Sequence, residues 1–387
     1  MVIIRDLLNA ICEMLFQFLA ILPVRNNKIV FDNFGGRGYG CDPKYIAEEL
    51  LKRKEPLDLV WLTKDVECEL PDGIRPVRYG SIRAMYELAT AKIWIDNIKN
   101  AIRLPKKKEQ YYIQTWHSSL GLKRNEQDAE FLKKTYVNRA KRDAAITDLM
   151  YSNNAFRAEK YKERFWYHGE VIRCGHPRNT ILLNVPQGMR EKVLAYFDID
   201  ERKKVLLYAP TFRNKEDLEI YLFDVSKCLE VLSKKLGGEY VCLLRLHPNS
   251  VAYANKKKFG EFAYNATDYP DMQELMAISD VLITDYSGSM FEFMLTGRPT
   301  FLFMKDLKRY IVHERKLYFS FEELPFLMAE DESELWNNIL QFDQEVYRKK
   351  CKLFMDRIDM RDDGNGAERI ADIVLSQIDN TYKEVGS

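Results

Sequence analysis

Residues 279–292 read Ser279-Asp280-Val281-Leu282-Ile283-Thr284-Asp285-Tyr286-Ser287-Gly288-Ser289-Met290-Phe291-Glu292. The apolar run from Val281 to Ile283 predicts a short buried strand that small polar residues end abruptly, and a helix-like run to Leu295 follows. A strand that turns in this way into a helix presents backbone N–H groups and hydroxyls at the positive helix end, where phosphate binds well. The alternative is an ordinary N-cap and turn, and this segment alone does not decide between them.

Composition places the chain among globular proteins. Of its 387 residues, 46% are apolar, 12% aromatic and 30% charged, which suits two domains of ordinary size. The seven cysteines are dispersed, without a Cys-x-x-Cys pair, and the sequence has no cleavable signal pattern. Such a set is typical of free thiols in a reducing compartment and argues against a zinc site. We therefore expect a cytoplasmic protein.

Charge is divided unevenly between the two halves. Residues 1–185 carry 31 Lys and Arg against 23 Asp and Glu (+8), and residues 186–387 carry 28 against 35 (−7), which together give +1. A basic first half predicts contact with something anionic, such as membrane headgroups, a phosphorylated substrate or nucleic acid. Because no groove-reading motif accompanies it and the second half is acidic, we expect no nucleic-acid partner.

Residues 1–24 predict an amphipathic helix at a membrane interface. Residues 3–22 are rich in Leu, Ile and Phe, but Arg5, Asp6 and Glu13 interrupt them, which disfavours a membrane-spanning helix. At helical spacing the polar side chains form a narrow stripe and the apolar ones a broad face, as suits an anionic bilayer surface. The alternative is a helix docked on the protein's own core or on a partner.

From residue 25 onward, short apolar runs alternate with helix-compatible segments, which predicts an α/β protein with parallel sheets. We expect an N-terminal Rossmann-like domain at 25–185, a second at 186–330, and C-terminal helices at 331–387 that pack back toward the first domain. The two domains would face each other across a cleft, with ligands at the carboxyl ends of the strands. The predicted strands are Ile29–Phe34, Asp58–Leu62, Ile93–Asp96, Tyr111–Trp116, Ala144–Thr147, Val171–Cys174, Val205–Tyr208, Tyr240–Leu246, Phe262–Asn265, Val281–Thr284 and Thr300–Met304.

Three further segments carry chemically active residues at predicted strand ends: QTWHSSLGLKR (114–124), LYAPTFR (207–213) and LRLHPN (244–249). His117 and His247 fall in different halves and would face each other in the cleft. Histidine deprotonates a hydroxyl or donates to a phosphate oxygen near neutral pH. Arg213 and Arg245, with helix N–H groups, would hold the charge that builds up in phosphoryl transfer. A strand-terminal histidine is by itself more often structural, so the prediction of a phosphate-handling site depends on the combination.

A glycine-rich stretch, Phe34–Gly40, follows the first predicted strand but lacks the spacing of a dinucleotide fingerprint. It either lets backbone approach an acceptor or forms a turn. Among the other histidines, His176 is placed to line the cleft, and His168 and His313 are expected at the surface. Phosphoryl transfer often uses Mg²⁺, but no carboxylate cluster in the sequence specifies a metal site, so a Mg²⁺ requirement stays open and no cofactor is certain.

With these segments in order, the chain resembles the CDP-glycerol glycerophosphotransferase family, the teichoic-acid glycerol-phosphate primases and polymerases. The family's Thr-Trp-His and Leu-Lys are matched by residues 115–117 and 122–123, its Tyr-Ala-Pro-Thr-Phe-Arg by 208–213, and its Arg-x-His-Pro by 245–248. Its Thr-Asp-Tyr-Ser-Ser corresponds to 284–288 and continues through Glu292 to Arg298. Weaker matches extend the resemblance over residues of about 30 to 370.

The resemblance implies a GT-B fold, with CDP-glycerol bound mainly by the second domain and an acceptor reaching the first. The family's two functional histidines carry over to His117 and His247. The donor pyrophosphate would lie near Ser287, Ser289, Thr211 and Arg213. Asp285 and Glu292 would lie near the nucleotide or glycerol hydroxyls. The full substrate-binding set implied is Thr211, Arg213, Arg245, Asp285, Ser287, Gly288, Ser289, Glu292, Lys123 and Arg298.

Three of the family's motifs differ in this chain, at five positions in all. The usual Gly-Thr-Pro after the first histidine is here Ser118-Ser119-Leu120, the second serine of Ser-Ser is Gly288, and the usual tyrosine before Pro177 is His176. These departures concern the phosphate contacts and the choice of acceptor.

The function expected is transfer of glycerol phosphate from CDP-glycerol to a hydroxyl of a polyprenyl-diphosphate-linked glycan acceptor, with release of CMP, in teichoic acid or capsular polymer synthesis. The protein would lie peripherally on the cytoplasmic face of a bacterial membrane. Alternatives are transfer from CDP-ribitol, a GT-B glycosyltransferase that uses a nucleotide sugar, and a non-catalytic membrane-associated scaffold.

Overall fold

The structure is a computed structural model of the chain and describes residues 18–19, 21–100, 104–211, 218–246, 260–313 and 316–385. The predicted amphipathic helix at 1–24 lies almost entirely outside these residues, and so do His247 and Arg213. Among the helices described, none is both long and apolar enough to cross a bilayer.

Seven parallel strands form the sheet of the first domain: β1 (Arg25–Asp32), β2 (Asp58–Thr63), β3 (Ile74–Arg78), β4 (Ala91–Asp96), β5 (Tyr111–Gln114), β6 (Leu149–Ser152) and β7 (Glu170–Arg173). Their order in the sheet is β3-β2-β1-β4-β5-β6-β7. The sheet is apolar on both faces because helices cover both. In β4, all six residues are buried.

Six parallel strands form the sheet of the second domain: β8 (Lys204–Ala209), β9 (Tyr240–Leu244), β10 (Ala263–Asn265), β11 (Val281–Thr284), β12 (Thr300–Phe303) and β13 (Leu327–Ala329). Their order is β10-β9-β8-β11-β12-β13. The strand order reverses between β1 and β4 in one sheet and between β8 and β11 in the other, where open α/β sheets bind ligands. Two such Rossmann-like domains make the GT-B architecture.

Helices connect the strands and cover the two sheets. In the first domain they are Cys41–Lys52, Ile82–Thr90, Lys134–Ile146 and Ala155–Arg164, with a 3₁₀ turn at Glu126–Asp128. In the sequence between the strands of the first sheet and those of the second, the helices are Pro177–Asn179 (3₁₀), Thr180–Leu183 and Met189–Tyr196. The second domain and the C-terminal segment contain Leu218–Tyr221 (3₁₀), Val225–Leu236, Met272–Ile278, Ser289–Phe293, Met294–Thr296 (3₁₀), Leu307–His313, Phe321–Glu323 (3₁₀), Glu332–Gln341, Gln344–Arg357 and Gly366–Val385.

The expectation that all of 331–387 packs back toward the first domain needs correction. Helices Glu332–Gln341 and Gln344–Arg357 lie on the second domain, where Phe354 stacks on Phe291 with ring centroids 5.7 Å apart. Their apolar faces complete that domain's core. The last helix, Gly366–Val385, does pack on the first domain, because Ile370 and Val374 are buried in the same apolar core as β1 residues.

One predicted strand was wrong and three were missed. Ala144–Thr147 is the end of helix Lys134–Ile146 and the following cap residue, and the strand itself begins at Leu149. The missed strands are β3, β6 and β13. β3 reads IRPVR, with a proline and two arginines, which is a sheet-edge pattern that apolar periodicity does not detect.

Candidate active site

Two segments from different domains meet at the cleft. A Cβ built at Gly288, which follows β11, would lie 3.0 Å from Ser118 Oγ and 3.0 Å from the carbonyl oxygen of Leu120, both in the segment after β5. The Glu292 carboxylate reaches the same segment and accepts from the backbone N–H of Ser119 at 3.5 Å. The segment that contains His117 and the Ser287–Ser289 turn are therefore neighbours, as the sequence predicts.

His117, in the segment beside the Ser287–Ser289 turn, has one basic ring nitrogen. Its Nδ1 lies 3.0 Å from the carbonyl oxygen of Asn97, which can only accept, so Nδ1 carries the proton and Nε2 the lone pair. The residue keeps solvent-exposed surface, while its ring packs between those of Phe34 and Trp116, with centroids 5.6 and 4.3 Å away. Desolvation by the surrounding protein and the positive charges of Arg178, Arg157 and Lys99 lower the pKa of His117 to about 4, although the Asn97 hydrogen bond acts in the opposite direction. The imidazole is therefore neutral at pH 7, as a general base must be.

A left-handed residue turns His117 out of the strand. Trp116 has φ of +57°, and its backbone N–H is held by the Gln114 side chain at 2.9 Å. The Trp116 ring packs beside the His117 ring with centroids 4.3 Å apart, and Lys99 Nζ lies 5.3 Å from the indole centroid. Such strain in a non-glycine residue persists only where surrounding contacts fix it, which they do here.

Hydroxyls line the turn after β11. Ser289 Oγ donates to Ser287 Oγ at 2.9 Å, and the Ser289 N–H points to the same oxygen at 3.3 Å. Asp285 Oδ1 accepts from the backbone N–H of Tyr286 at 2.6 Å and of Thr211 at 2.8 Å. Asp285 therefore ties the end of β8 to the end of β11 and shapes the turn. Its predicted contact with a ligand stays a prediction.

Glu292 belongs to a buried ion pair that joins the two domains. Arg178 Nη2 donates to Glu292 Oε1 at 2.6 Å and Arg178 Nη1 to Asp42 Oδ2 at 2.9 Å, and all three residues are buried. Gln273 Nε2 donates to Glu292 Oε2 at 2.7 Å. The Arg178 guanidinium holds the pKa of Asp42 below its usual value against the effect of burial. Glu292 thus positions the turn, and its predicted contact with nucleotide or glycerol is not tested by these contacts.

A second buried ion pair between the domains was missed by the sequence analysis. Lys44 Nζ donates to Asp271 Oδ2 at 2.6 Å and to Glu274 Oε1 at 2.8 Å, and Tyr45 Oη donates to Asp271 at 2.6 Å. These partners are more than 220 residues apart in the sequence. No local signal could therefore have paired them.

Two predicted arginine sites have structural partners. Arg298 Nη1 donates to the Ala277 and Ser279 carbonyls and Nη2 to that of Met276 at 3.1 Å, which caps the end of helix Met272–Ile278. Arg245 Nη1 donates to the carbonyl of Ala266 at 2.7 Å and to that of Tyr269. Their predicted substrate contacts remain predictions.

Lys123 lies at the seam between the domains. Its Nζ is 5.1 Å from the Tyr310 ring centroid, and its backbone forms an antiparallel bridge with Leu317. The Tyr310 ring stacks on Tyr286 in the segment after β11, with centroids 3.5 Å apart. The cation therefore reaches the second domain beside the cleft turn.

A buried carboxyl pair marks the switch point of the first sheet. Asp32 and Asp96 are register partners at the ends of β1 and β4. Burial raises the pKa of Asp32 to about 7, and burial together with the Asp32 charge raises that of Asp96 well above its usual value. The pair therefore carries less negative charge near neutral pH than two solvent-exposed carboxylates would. Apart from their position at strand ends, no sequence pattern predicts this pair.

His176 does not line the cleft. It is fully buried, with Nδ1 2.9 Å from Asp42 Oδ2 and its ring beside Tyr151. His168 is exposed, as expected. The glycine-rich stretch forms a turn in which Gly36 has φ of +77° and donates its N–H to Asp32 at 2.8 Å. Within the described ranges, no three His, Cys, Asp or Glu side chains are grouped so as to hold a metal ion.

The sequence of this chain is similar to those of known proteins. A sequence model of the family described as CDP-Glycerol:Poly(glycerophosphate) glycerophosphotransferase matches residues 14–376. The chain belongs to this family. Relatives include the teichoic acid poly(glycerol phosphate) polymerases of Staphylococcus epidermidis (31% identical, 92% of this chain and 51% of the relative) and Bacillus spizizenii (31%, 82% and 84%). The chain thus spans about half the length of the S. epidermidis relative.

The fold is shared with a solved member of the family. The structure of the wall teichoic acid polymerase TagF superposes with a TM-score of 0.85 at 29% identity and covers 98% of this chain and 96% of that one. A His-to-Asn variant of TagF, soaked with CDPG, superposes equally well. Two parallel-sheet domains in the GT-B arrangement are therefore established for this chain.

Proposed function

We propose that this chain transfers glycerol phosphate from CDP-glycerol to a hydroxyl of a teichoic acid acceptor. The observation that carries the proposal is His117, an exposed residue whose Nδ1–H is anchored on the Asn97 carbonyl, so that the lone pair is on Nε2. This base stands opposite a hydroxyl-lined turn that follows β11 of the second domain. Family membership and the TagF structure soaked with CDPG support CDP-glycerol as the donor.

The reaction is an in-line displacement at the β-phosphorus of CDP-glycerol. An acceptor oxygen forms the new P–O bond as its proton moves to His117 Nε2, and the bond to the bridging oxygen of the pyrophosphate breaks, releasing CMP. The Ser287–Ser289 turn would hold the pyrophosphate oxygens with hydroxyls and N–H groups. His247 and Arg213, which lie outside the described residues, would stabilise the same charge, as the family motifs imply.

The acceptor end of the proposal is a glycan linked to polyprenyl diphosphate at the cytoplasmic face of the membrane. A net charge of +8 over residues 1–185 favours an anionic surface. The N-terminal amphipathic pattern would add apolar burial at the interface. Deleting residues 1–24 should weaken binding to vesicles of phosphatidylglycerol and phosphatidylcholine while CDP-glycerol affinity stays within about threefold. Equal loss of both would instead mean that the segment supports the core.

Ribitol phosphate transfer is the second candidate. A teichoic acid ribitol-phosphate primase of Bacillus spizizenii is 29% identical over 92% of this chain, close to the values for glycerol relatives. We expect CDP-glycerol to be the preferred donor in a panel of CDP-glycerol, CDP-ribitol and UDP-sugars, each offered with a prenyl-diphosphate-linked glycan and followed by nucleotide release. CMP from CDP-ribitol alone would reassign the donor, UDP release would indicate a glycosyltransferase, and no release from any donor would favour a scaffold. The same assay with and without EDTA and added Mg²⁺ would answer the metal question.

A further inference from the structure

Two departures from the family motifs touch each other in the cleft. Ser118 stands in the first domain and Gly288 in the second, and a Cβ at Gly288 would lie only 3.0 Å from Ser118 Oγ. That distance is tighter than ordinary van der Waals contact. The Ser118 hydroxyl therefore occupies the space beside the cleft turn that a side chain at position 288 would need.

The Ser118 hydroxyl is available to a ligand. It makes no hydrogen bond with any residue that the structure describes, and its side chain is half-buried beside the cleft. The neighbouring Ser119 differs, because its hydroxyl lies 3.4 Å from the Glu292 carboxylate and is buried. Ser118 also follows His117 directly in the sequence, and its oxygen lies beside Gly288 of the Ser287–Ser289 turn.

A buried positive charge lies under the same segment. Arg157 is fully buried, and its Nε and Nη2 have no hydrogen-bond partner among the described residues, while Nη1 donates to Asn125 at 3.3 Å. Nη2 lies 3.0 Å from the position that a Cβ at Gly121 would take. No carboxylate of the described residues forms an ion pair with this guanidinium. A buried cation without a counter-charge is costly, and an anion held by the turn above it would relieve that cost.

We propose that the Ser118 hydroxyl donates a hydrogen bond to the phosphate that is transferred, and that residues 118–121 of the first domain form one wall of the phosphate site. Gly288 leaves room for this hydroxyl on the opposite wall. The inference rests on the proposed function and adds to it a contact from the acceptor domain. Because Ser118 contacts the transferred phosphate, loss of its hydroxyl should weaken the interaction with the donor and leave the pKa of His117 unchanged.

The test compares variants in the CMP-release assay with CDP-glycerol and a prenyl-diphosphate-linked glycan. Ser118→Ala should lower kcat/KM about 10- to 100-fold, the range for one hydrogen bond to a charged group. The acid limb of its pH profile should not move. Ser118→Thr should retain more activity than Ser118→Ala because it keeps the hydroxyl. Ser376→Ala, on the exposed face of the last helix, is the matched control and should be unchanged.

Exchanging the two positions provides a second, independent measurement. Gly288→Ser should be poorly active, because its side chain meets Ser118 Oγ and the Leu120 carbonyl at 3.0 Å. Ser118→Gly combined with Gly288→Ser removes the first contact and restores one hydroxyl, so it should exceed Gly288→Ser in kcat/KM. Activity of Ser118→Ala within twofold of wild type, or a double variant no better than Gly288→Ser, would overturn the inference while wild-type turnover persists. A wild-type protein without CMP release would refute the proposed function itself.

Discussion

Replacing Arg178 by alanine should destabilise the protein, because it breaks the buried ion pair between the domains. The guanidinium joins Asp42 and Glu292 at 2.9 and 2.6 Å, and the Arg178 and Glu292 side chains are 2% and 7% exposed. Its removal takes away the cation that the two buried carboxylates share, and leaves Asp42 only the His176 ring as a side-chain partner among the described residues. Breaking a buried pair in this way costs about 3–5 kcal/mol. We expect a loss of that size in the free energy of unfolding, measured by urea denaturation at pH 7.

The pH dependence of this loss provides a check on its cause. In the wild type the pKa of Asp42 is lowered from 3.8, so the folded state keeps this carboxylate ionised and its contribution is lost only as pH falls below that value. Without Arg178 the same burial raises the pKa, and the folded variant takes up a proton that the unfolded chain does not. The stability difference between the two proteins should therefore narrow as the pH is lowered from 7 toward 4.

The control for Arg178 is Arg173→Ala. Arg173 lies five residues away and pairs with Asp359, and the two side chains are 33% and 44% exposed. A pair this exposed contributes about 0.2–1 kcal/mol. Equal effects of the two substitutions, or an Arg178 effect below about 1 kcal/mol at every pH, would refute the reasoning from burial.

Three further outcomes are expected. Gly36→Ala should destabilise the fold by about 1–3 kcal/mol, because φ is +77° and its Cβ would lie 2.6 Å from that of Tyr79; an unchanged melting temperature would contradict this. Arg298→Ala should lower the melting temperature but leave the KM for CDP-glycerol within about threefold, because the guanidinium caps a helix; a large KM increase would instead support its predicted substrate contact. The acid limb of the kcat/KM pH profile should lie near pH 4, because the surrounding protein lowers the pKa of His117 to about 4. An acid limb near pH 6.5 would instead show that this pKa is not lowered.

The strand-end motifs could be predicted because they depend on local sequence. The run Val281–Thr284 was placed correctly at both ends, and the Trp116-His117 segment emerges at a strand end because an apolar strand is followed there by small residues. The missed strands show the limit of this signal. Strand Leu149–Ser152 is only four residues long, and the end of the preceding helix has a similar short apolar run. The apolar pattern therefore predicts the strand a few residues too early.

Contacts that span the domains could not be predicted from the sequence. Arg178 follows His176 and Pro177 in the sequence, and nothing local indicates that its partners are Asp42 and Glu292, 136 and 114 residues away. For the same reason Glu292 and Arg298 were assigned to ligand binding from motif position, whereas the structure gives each of them protein partners. His176 was placed toward the cleft by its strand-end position, and its burial depends on Asp42 in a distant helix.

The most direct test of the central claim is CMP release by His117→Asn with CDP-glycerol and a prenyl-diphosphate-linked glycan, together with calorimetric binding of CDP-glycerol. Asparagine at this position cannot act as a base near neutral pH. We expect kcat to fall by about 10²- to 10⁴-fold while the Kd for CDP-glycerol stays within about threefold and the melting temperature is unchanged. Turnover near the wild-type rate would contradict the assignment of His117 as the base that activates the acceptor.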